Sequence, residues 1–333
     1  WLFMVGIGLL SNLASQSITV GTRHPLESVT IAIVIGLFLG NLLPFPRFLQ
    51  PGIMNYEMAL KAGIVLLGIG LSFFAVLEIG AKASSVVVLC LVIAPLIIFF
   101  IGRKAGLSEK MTLLIGVGTT ICGTTAIAVT APVIEAEGDD VSYAVGTISL
   151  VGIAAMFTLP IVARLFGLNE SVFGLWAGTA VHATPQVVAA GYMYGTVAGQ
   201  VATVAKLTRN IFMAPAVFLI RLWHTRKTHH AASKKTRYWK AVPTFLFGFL
   251  ALAVIRTLGD GTALIPASEW QWIVRNVNEL GKFLVLIAMA GIGLNTRIKA
   301  MHRIGFKPFL VGVAGSVLLA TISLGLIHLL GIS

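Results

Sequence analysis

The stretch Gly116-Val-Gly-Thr-Thr-Ile-Cys-Gly-Thr-Thr-Ala126 constrains this chain more than any other. It lies within Met111 to Ile134, a run without a charged residue and long enough to cross a bilayer as a helix. Three glycines and four threonines interrupt it, and each glycine costs about 1 kcal/mol in a helix relative to alanine. Non-helical backbone at membrane depth survives only where protein buries it or a wet cavity meets it. The expectation is a broken span whose break faces a site.

Further charge-free runs from Ala83 to Ile101, Val141 to Ala163 and Phe309 to Ile327 make the same case for a membrane. The chain is 57% hydrophobic and 11% charged, which excludes an ordinary soluble domain. Its net charge of +12 does not point to nucleic acid, because the basic residues sit in short loops between spans, as the positive-inside rule requires. Cys90 and Cys122 both fall within spans, so no disulfide framework, metal site or cofactor is expected. The first residue is Trp1, and residues before it are expected to be missing.

Hydropathy and loop charge predict an all-α membrane protein of about eleven spans: 1–18, 26–43, 56–79, 83–102, 109–135, 140–166, 171–194, 197–222, 239–258, 279–296 and 308–330. The basic loop from Arg221 to Lys240 is placed in the cytoplasm. Alternation then puts Arg103 and Lys104, and Arg297, Lys299, Arg303 and Lys307, on the same side, with the acidic loop Glu135, Glu137, Asp139 and Asp140 outside. The N-terminus comes out inside and the C-terminus outside. Trp270, Trp272 and Arg275 suggest an interfacial segment over 268–278 that leads into the tenth span. Gly36 and Gly40 form a helix-packing pair.

An internal repeat is visible. Ile64-x-x-x-Gly68-Ile69-Gly70-Leu71 matches Ile287-x-x-x-Gly291-Ile292-Gly293-Leu294, 223 residues on, and Ile79-Gly80-x-Lys82 matches Ile304-Gly305-x-Lys307, 225 residues on. The copies fall in spans three and ten, which cross in opposite directions, the pattern of an inverted-repeat transporter.

A second break is expected at Gly178-Thr-Ala-Val-His182-Ala-Thr184-Pro-Gln186. Thr184 and Pro185 read as N-cap and first position of a half-helix whose amino end would attract an anion. A proline kink is the plainer alternative. His182 is either a ligand or proton carrier, or a neutral interhelical donor. Lys206, Arg209 and Asn210 share one face of span eight. None of the twelve acids falls mid-span, so an anionic substrate would complete the buried cations; alternatively they meet helix-end carbonyls. The same inventory argues against a cation antiporter. It also argues against an enzyme built on Cys122 and His182, since no deep acid would orient the histidine.

Three motifs carry a resemblance: Ile121-Cys122-Gly123, His182-x-x-x-Gln186-Val187-Val188-Ala189-Ala190-Gly191, and Lys206-x-x-Arg209-x-x-x-x-Ala214-Pro215. Together they resemble the YeiH family of bacterial inner-membrane proteins, which carries a sulfate-exporter label, from the second span to the C-terminus. Where members of that family often have Ala or Ser, this chain has Thr119, Thr120, Thr124 and Thr125, and it has Ala183 where an acid can follow the histidine. The family is grouped with the cation/proton antiporters and bile-acid symporters, and Gly68-Ile69-Gly70-Leu71 is similar to a glycine motif of the latter. That grouping implies two crossing broken helices in a core domain beside a panel-like domain. The paired helices of that fold are antiparallel, whereas spans five and seven as simple crossings would be parallel.

The chain is therefore expected to be one transporter domain over 1–333. Its broken-helix core includes 109–222, its panel-like helices include 26–79 and 239–330, and its basic cytoplasmic loop is 221–240. The expected function is alternating-access movement of a small anion such as sulfate, sulfite or a sulfonate across the bacterial inner membrane. The substrate would meet Thr119, Thr120, Cys122, Gly123, Thr124 and Thr125 from one break and Thr179, His182, Thr184 and Gln186 from the other. Lys206 and Arg209 would set the anion preference. A proton or sodium ion is the expected coupling partner and a second copy of the chain a candidate one, with the bilayer around them and no nucleic acid. The alternatives are a sodium- or proton-coupled organic-acid symporter and a non-transporting sensor or scaffold.

Overall fold

The computed structural model describes residues 1–17, 28–43, 50–136, 138–228, 243–262, 266–296 and 305–332. The described residues form helices α1 (Leu2–Ser17), α2 (Ser28–Leu42), α3 (Gln50–Met54), α4 (Tyr56–Leu67), α5 (Phe73–Lys104), α6 (Glu109–Val117), α7 (Thr124–Thr130), α8 (Gly138–Leu165), α9 (Glu170–Ala180), α10 (Thr184–Tyr194), α11 (Thr196–Ile211), α12 (Met213–Thr228), α13 (Phe245–Gly261), α14 (Ala267–Asn295) and α15 (Phe306–Leu329). A 3-10 turn over Gly68–Gly70 follows α4, and a π turn over Gly118–Cys122 follows α6. Among the described residues, five helical stretches are long and apolar enough to cross a membrane: Phe73–Lys104, Gly138–Leu165, Thr196–Arg226, Ala267–Asn295 and Phe306–Leu329. Leucine, isoleucine, valine and phenylalanine stand exposed along them, among them Phe74, Leu96, Phe100, Ile161 and Val317, as a lipid-facing surface demands.

Several expected spans change. The third, 56–79, is not one helix: α4 stops at Leu67, and Leu71 is extended. Gly68 sits against the carbonyl of Phe249, where a side chain could not fit, and α5 then runs unbroken through the rest of span three and all of span four. Span eight divides at Phe212, just before Pro215. The tryptophan-bearing segment 268–278 is continuous with α14 rather than separate from it. Glu27, Glu137, Arg297, Lys299, Arg303, Ile304 and most of the 221–240 loop lie outside the described residues.

The chain divides into two compact units. In one, comprising 1–79, 192–195 and 244–300, helix α14 is the centrepiece. Gly36 and Gly40 of α2 lie so close to it that an added Cβ would meet the carbonyls of Ala290 and Leu294. The predicted packing pair therefore packs. On another side Gly63 of α4 faces Gly281 and Val285, while Tyr56 faces Gly291, so the two repeat copies run antiparallel against each other.

The other unit, 80–191, 196–243 and 301–333, holds both predicted breaks, and neither is a simple crossing. Ser108 caps α6 and its hydroxyl also reaches Asp140 at the start of α8, while Lys110 donates to the Glu135 carbonyl at 2.6 Å. Gly118 lies under Ile127. The segment thus goes in along α6, turns at Gly123, and returns along α7 to where it began. Spans 171–194 repeat the manoeuvre. Glu170, at the start of α9, accepts from the N–H groups of Val197 and Ala198 at the start of α11. Gly174 and Gly178 of α9 pack on Ala198, Ala202 and Ala205 of α11, so those helices are parallel. Gly191 of α10 returns to the level of Ala198 and Gly199. Between the two hairpins runs α8, whose 28 residues cover about 42 Å at 1.5 Å each. The hairpins consequently enter from opposite ends of α8.

This overturns one placement. Arg103 and Lys104 were expected on the opposite side from the acidic loop, but a hairpin returns the chain to its starting end, so the residues around 103–110 and 135–140 share that end.

Candidate functional site

The two hairpins meet at their tips. Gly123 takes φ +62° and ψ −129°, and a methyl group added there would stand 3.4 Å from the backbone and Cβ of Ala183. Such dihedrals are essentially restricted to glycine, which is why the first tip can turn so tightly. The second tip is made differently. Val181 is extended, the Ala183 carbonyl accepts from the Val187 N–H, and the Ala183 N–H donates to Gln186 Oε1 at 3.1 Å. Ala183 is therefore the N-cap, with Gln186 three residues on closing half of a capping box. Thr184 and Pro185 occupy the first two helical positions, one later than the sequence suggested. A proline there still forfeits nothing, because the first four N–H groups of a helix lack partners.

Helix α11 delivers the charges. Its small residues let it approach α9 closely, and this brings Lys206 and Arg209 to the tips, where they are 0% and 1% exposed. Lys206 Nζ donates to the carbonyl of Ile121 at 2.9 Å and to that of His182. Arg209 donates from Nε to Thr120 at 2.8 Å, from one terminal nitrogen to Val181 at 2.8 Å and more distantly to Gly178, and from the other to Thr119. Both cations thus bridge the two hairpins, capping the carbonyl ends of the two inward arms, where helix dipoles place negative charge. Of the readings left open by the sequence, the pairing with helix-end carbonyls is the one observed.

Those bonds do not exhaust the cations. An ammonium has three N–H groups and a guanidinium five, and each keeps one without a protein acceptor among the described residues. No Asp or Glu is among the buried described residues to balance them. Around them lie further polar groups. Cys122 Sγ and Thr184 Oγ1 approach to 3.9 Å across the tips, and Asn210 Nδ2 lies 3.4 Å from Thr184 Oγ1. Asn210 Oδ1 is buried without a hydrogen-bond partner, and the ring nitrogens of His182 are buried without a well-aligned one, the imidazole interacting with the Ala180 backbone.

The other predicted site residues fare unequally. Thr119 and Thr120 turn their hydroxyls back onto Ile115 and Gly116 of their own helix, each at 2.8 Å, so it is their carbonyls that reach the cations. Thr179 bonds back to Leu175 and across to Ser323 of α15, which the sequence reading did not include. Gln186 is held by Ala183 and by the Ser149 carbonyl. Thr124 is half-buried and Thr125 exposed. Asn210, expected on the same helical face as Lys206 and Arg209, completes the cluster.

One sequence signal for this geometry went unread. Gly106-Leu107-Ser108-Glu109 recurs as Gly167-Leu168-Asn169-Glu170, and Gly118-Thr119-x-Ile121-Cys122-Gly123-Thr124 as Gly178-Thr179-x-Val181-His182-Ala183-Thr184. Both glycines before the caps have positive φ, and both caps, Ser108 and Asn169, accept from the N–H three residues on. The chain carries the same hairpin twice, about 60 residues apart.

Long apolar helices around paired hairpins define a multi-pass α-helical membrane protein. It belongs to the family described as Conserved hypothetical protein 698, whose model matches residues 1–312, in line with the YeiH-type resemblance of its motifs. Among its relatives, a UPF0324 membrane protein of Brucella melitensis is 33% identical over 312 residues, covering 93% of this chain and 84% of the relative. One from Clostridium tetani is 32% identical over 337 residues, 96% of this chain and 95% of the relative. One from Pseudomonas aeruginosa is 33% identical over 322 residues, 92% and 88%. No solved structure matches the chain.

Proposed function

We propose that this protein is a secondary transporter, not an enzyme, which moves a small anion such as sulfate, sulfite or a sulfonate across the bacterial inner membrane by alternating access. One observation carries the reading: two hairpin tips meet around two fully buried cations with no buried carboxylate among the described residues to balance them. Arms of about 11 residues reach roughly 16 Å, half the thickness of a hydrocarbon core, so the tips meet where a substrate would be half-way across. Paired hairpins of opposite direction are the architecture of inverted-repeat transporters, whose sites lie at the junction of the repeats. Antiparallel arms also remove the parallel-crossing difficulty that simple spans would pose.

An anion suits the groups on offer. The N–H groups of Thr184 and Gln186 open the first turn of α10, where the dipole is positive, and the spare N–H of Lys206 and of Arg209, with the Thr184 hydroxyl and the Asn210 amide, provide further donors. Basic residues Arg103, Lys104, Lys110 and Lys307 gather near the base of the first hairpin. By the positive-inside rule this supports a cytoplasmic position for that end and an external C-terminus.

The test is uptake of radiolabelled sulfate and methanesulfonate into proteoliposomes. Wild-type protein should transport at least one of them, and Lys206→Met should abolish transport while the purified protein stays monodisperse. Undiminished flux in a well-folded Lys206→Met variant would end the reading.

A further inference from the structure

We infer that His182 takes up a proton when the anion binds, so that transport is coupled to protons and not to sodium; the inference rests on the site proposed above. His182 is completely buried, neither ring nitrogen makes a well-aligned hydrogen bond although the ring interacts with the Ala180 backbone, and its own carbonyl accepts from Lys206. A buried imidazole without well-aligned partners costs up to about 1–3 kcal/mol relative to a satisfied one, so its retention at the tip needs a ligand to repay it. Thr119, Thr120, Thr179 and Gln186, by contrast, are satisfied within the protein.

The charged groups that act on the imidazole are Arg209 and Lys206 on α11; the titratable groups near those cations in turn are Cys122 on the opposing tip and Cys90 of α5. None is an acid. Without an anion the ring faces two cations and no counter-charge among the described residues. An anion held by Lys206, Arg209 and the α10 amino end reverses the local potential, and a proton then moves from water to a ring nitrogen. It returns to water when the anion leaves, and no other bond changes. Binding linkage is reciprocal, so an anion that raises proton affinity is itself bound more tightly when the proton is present. Sodium finds no comparable place. The backbone carbonyls at the tips, its natural ligands, are occupied by Lys206 and Arg209, and the described residues offer no buried carboxylate and no cluster of three or more His, Cys, Asp or Glu side chains.

The experiment is titration calorimetry of the full chain in lipid nanodiscs, with sulfate and methanesulfonate as probes, in buffers of different ionisation enthalpy. Neither probe titrates near neutral pH, so any proton taken up is the protein's. Wild-type protein should take up close to one proton per anion, and its affinity should weaken by up to about tenfold per pH unit as pH rises through the titration. His182→Gln should bind the anion with no proton uptake and a flat pH profile. Anion binding by wild type without proton uptake, or equal uptake by His182→Gln, overturns the proton role and leaves the anion site standing. No binding of either probe by wild type overturns the site reading and this inference with it. The wild-type measurement alone decides, should the variant fail to fold.

Discussion

The two hairpins share a plan and differ in their tips. The first turns on Gly123 at a positive φ and points two threonine hydroxyls back into its own helix. The second needs no positive φ, because an extended Val181 and the Gln186 cap make the turn, and it leaves the His182 ring without a well-aligned partner. Cys122 and His182 occupy the same place in the two copies. Both tips thus present carbonyls to Lys206 and Arg209, but only the second also buries an imidazole without a well-aligned hydrogen bond. A duplicated element can keep its fold and divide its duties when the side chain at one position alone changes.

That contrast can be broken at several points. The largest effect is expected from Arg209→Met, which strips hydrogen-bond donors from carbonyls in both hairpins at once. Each orphaned buried carbonyl costs about 1–3 kcal/mol, so the variant should lose most of its folded yield and show a collapsed thermal transition. Arg209→Lys should recover only part, since an ammonium cannot span the guanidinium's positions. Next comes Gly123→Ala, expected to cost about 1–3 kcal/mol from backbone strain, whereas Ala183→Gly at the matching place should cost well under half of that. Equal losses in thermal unfolding would show that the tips are built alike.

Gln186→Ala should cost about 1 kcal/mol through the lost cap and the lost bond to the Ser149 carbonyl, and should weaken anion binding by loosening the start of α10. His182→Met should leave stability unchanged or slightly raised, because it buries an apolar group where a polar one stood without a well-aligned partner, while proton uptake disappears. The smallest effect is expected from Thr119→Val and Thr120→Val. Their hydroxyls are internally bonded, so anion affinity should stay within about twofold, as equilibrium binding would show. A large loss would return those hydroxyls to the ligand and erase the division between the tips.

Much of the site was legible in the residues. Glycine and threonine within Gly116–Ala126, and Thr184-Pro185 after His182, announced breaks because a continuous helix tolerates neither pattern well. Lys206 and Arg209 in an apolar segment announced a buried charge cluster, because cations are too costly to leave in lipid. Less legible was their partner. Backbone carbonyls have no letter in a sequence, so helix-end carbonyls stood there only as one alternative, and the fold alone picks out those of Thr119, Thr120, Ile121, Gly178, Val181 and His182.

Composition alone, at a mean hydropathy of +0.94, determined that this chain lives in a bilayer, and local helix chemistry determined where its helices give way, because both depend on the residues in one segment. Direction was decided only in three dimensions. An apolar segment of 20-odd residues with a break reads identically whether the chain continues across or turns back. What settles it is long-range contact: Lys110 with Glu135, Glu170 with Val197, and Gly123 against Ala183.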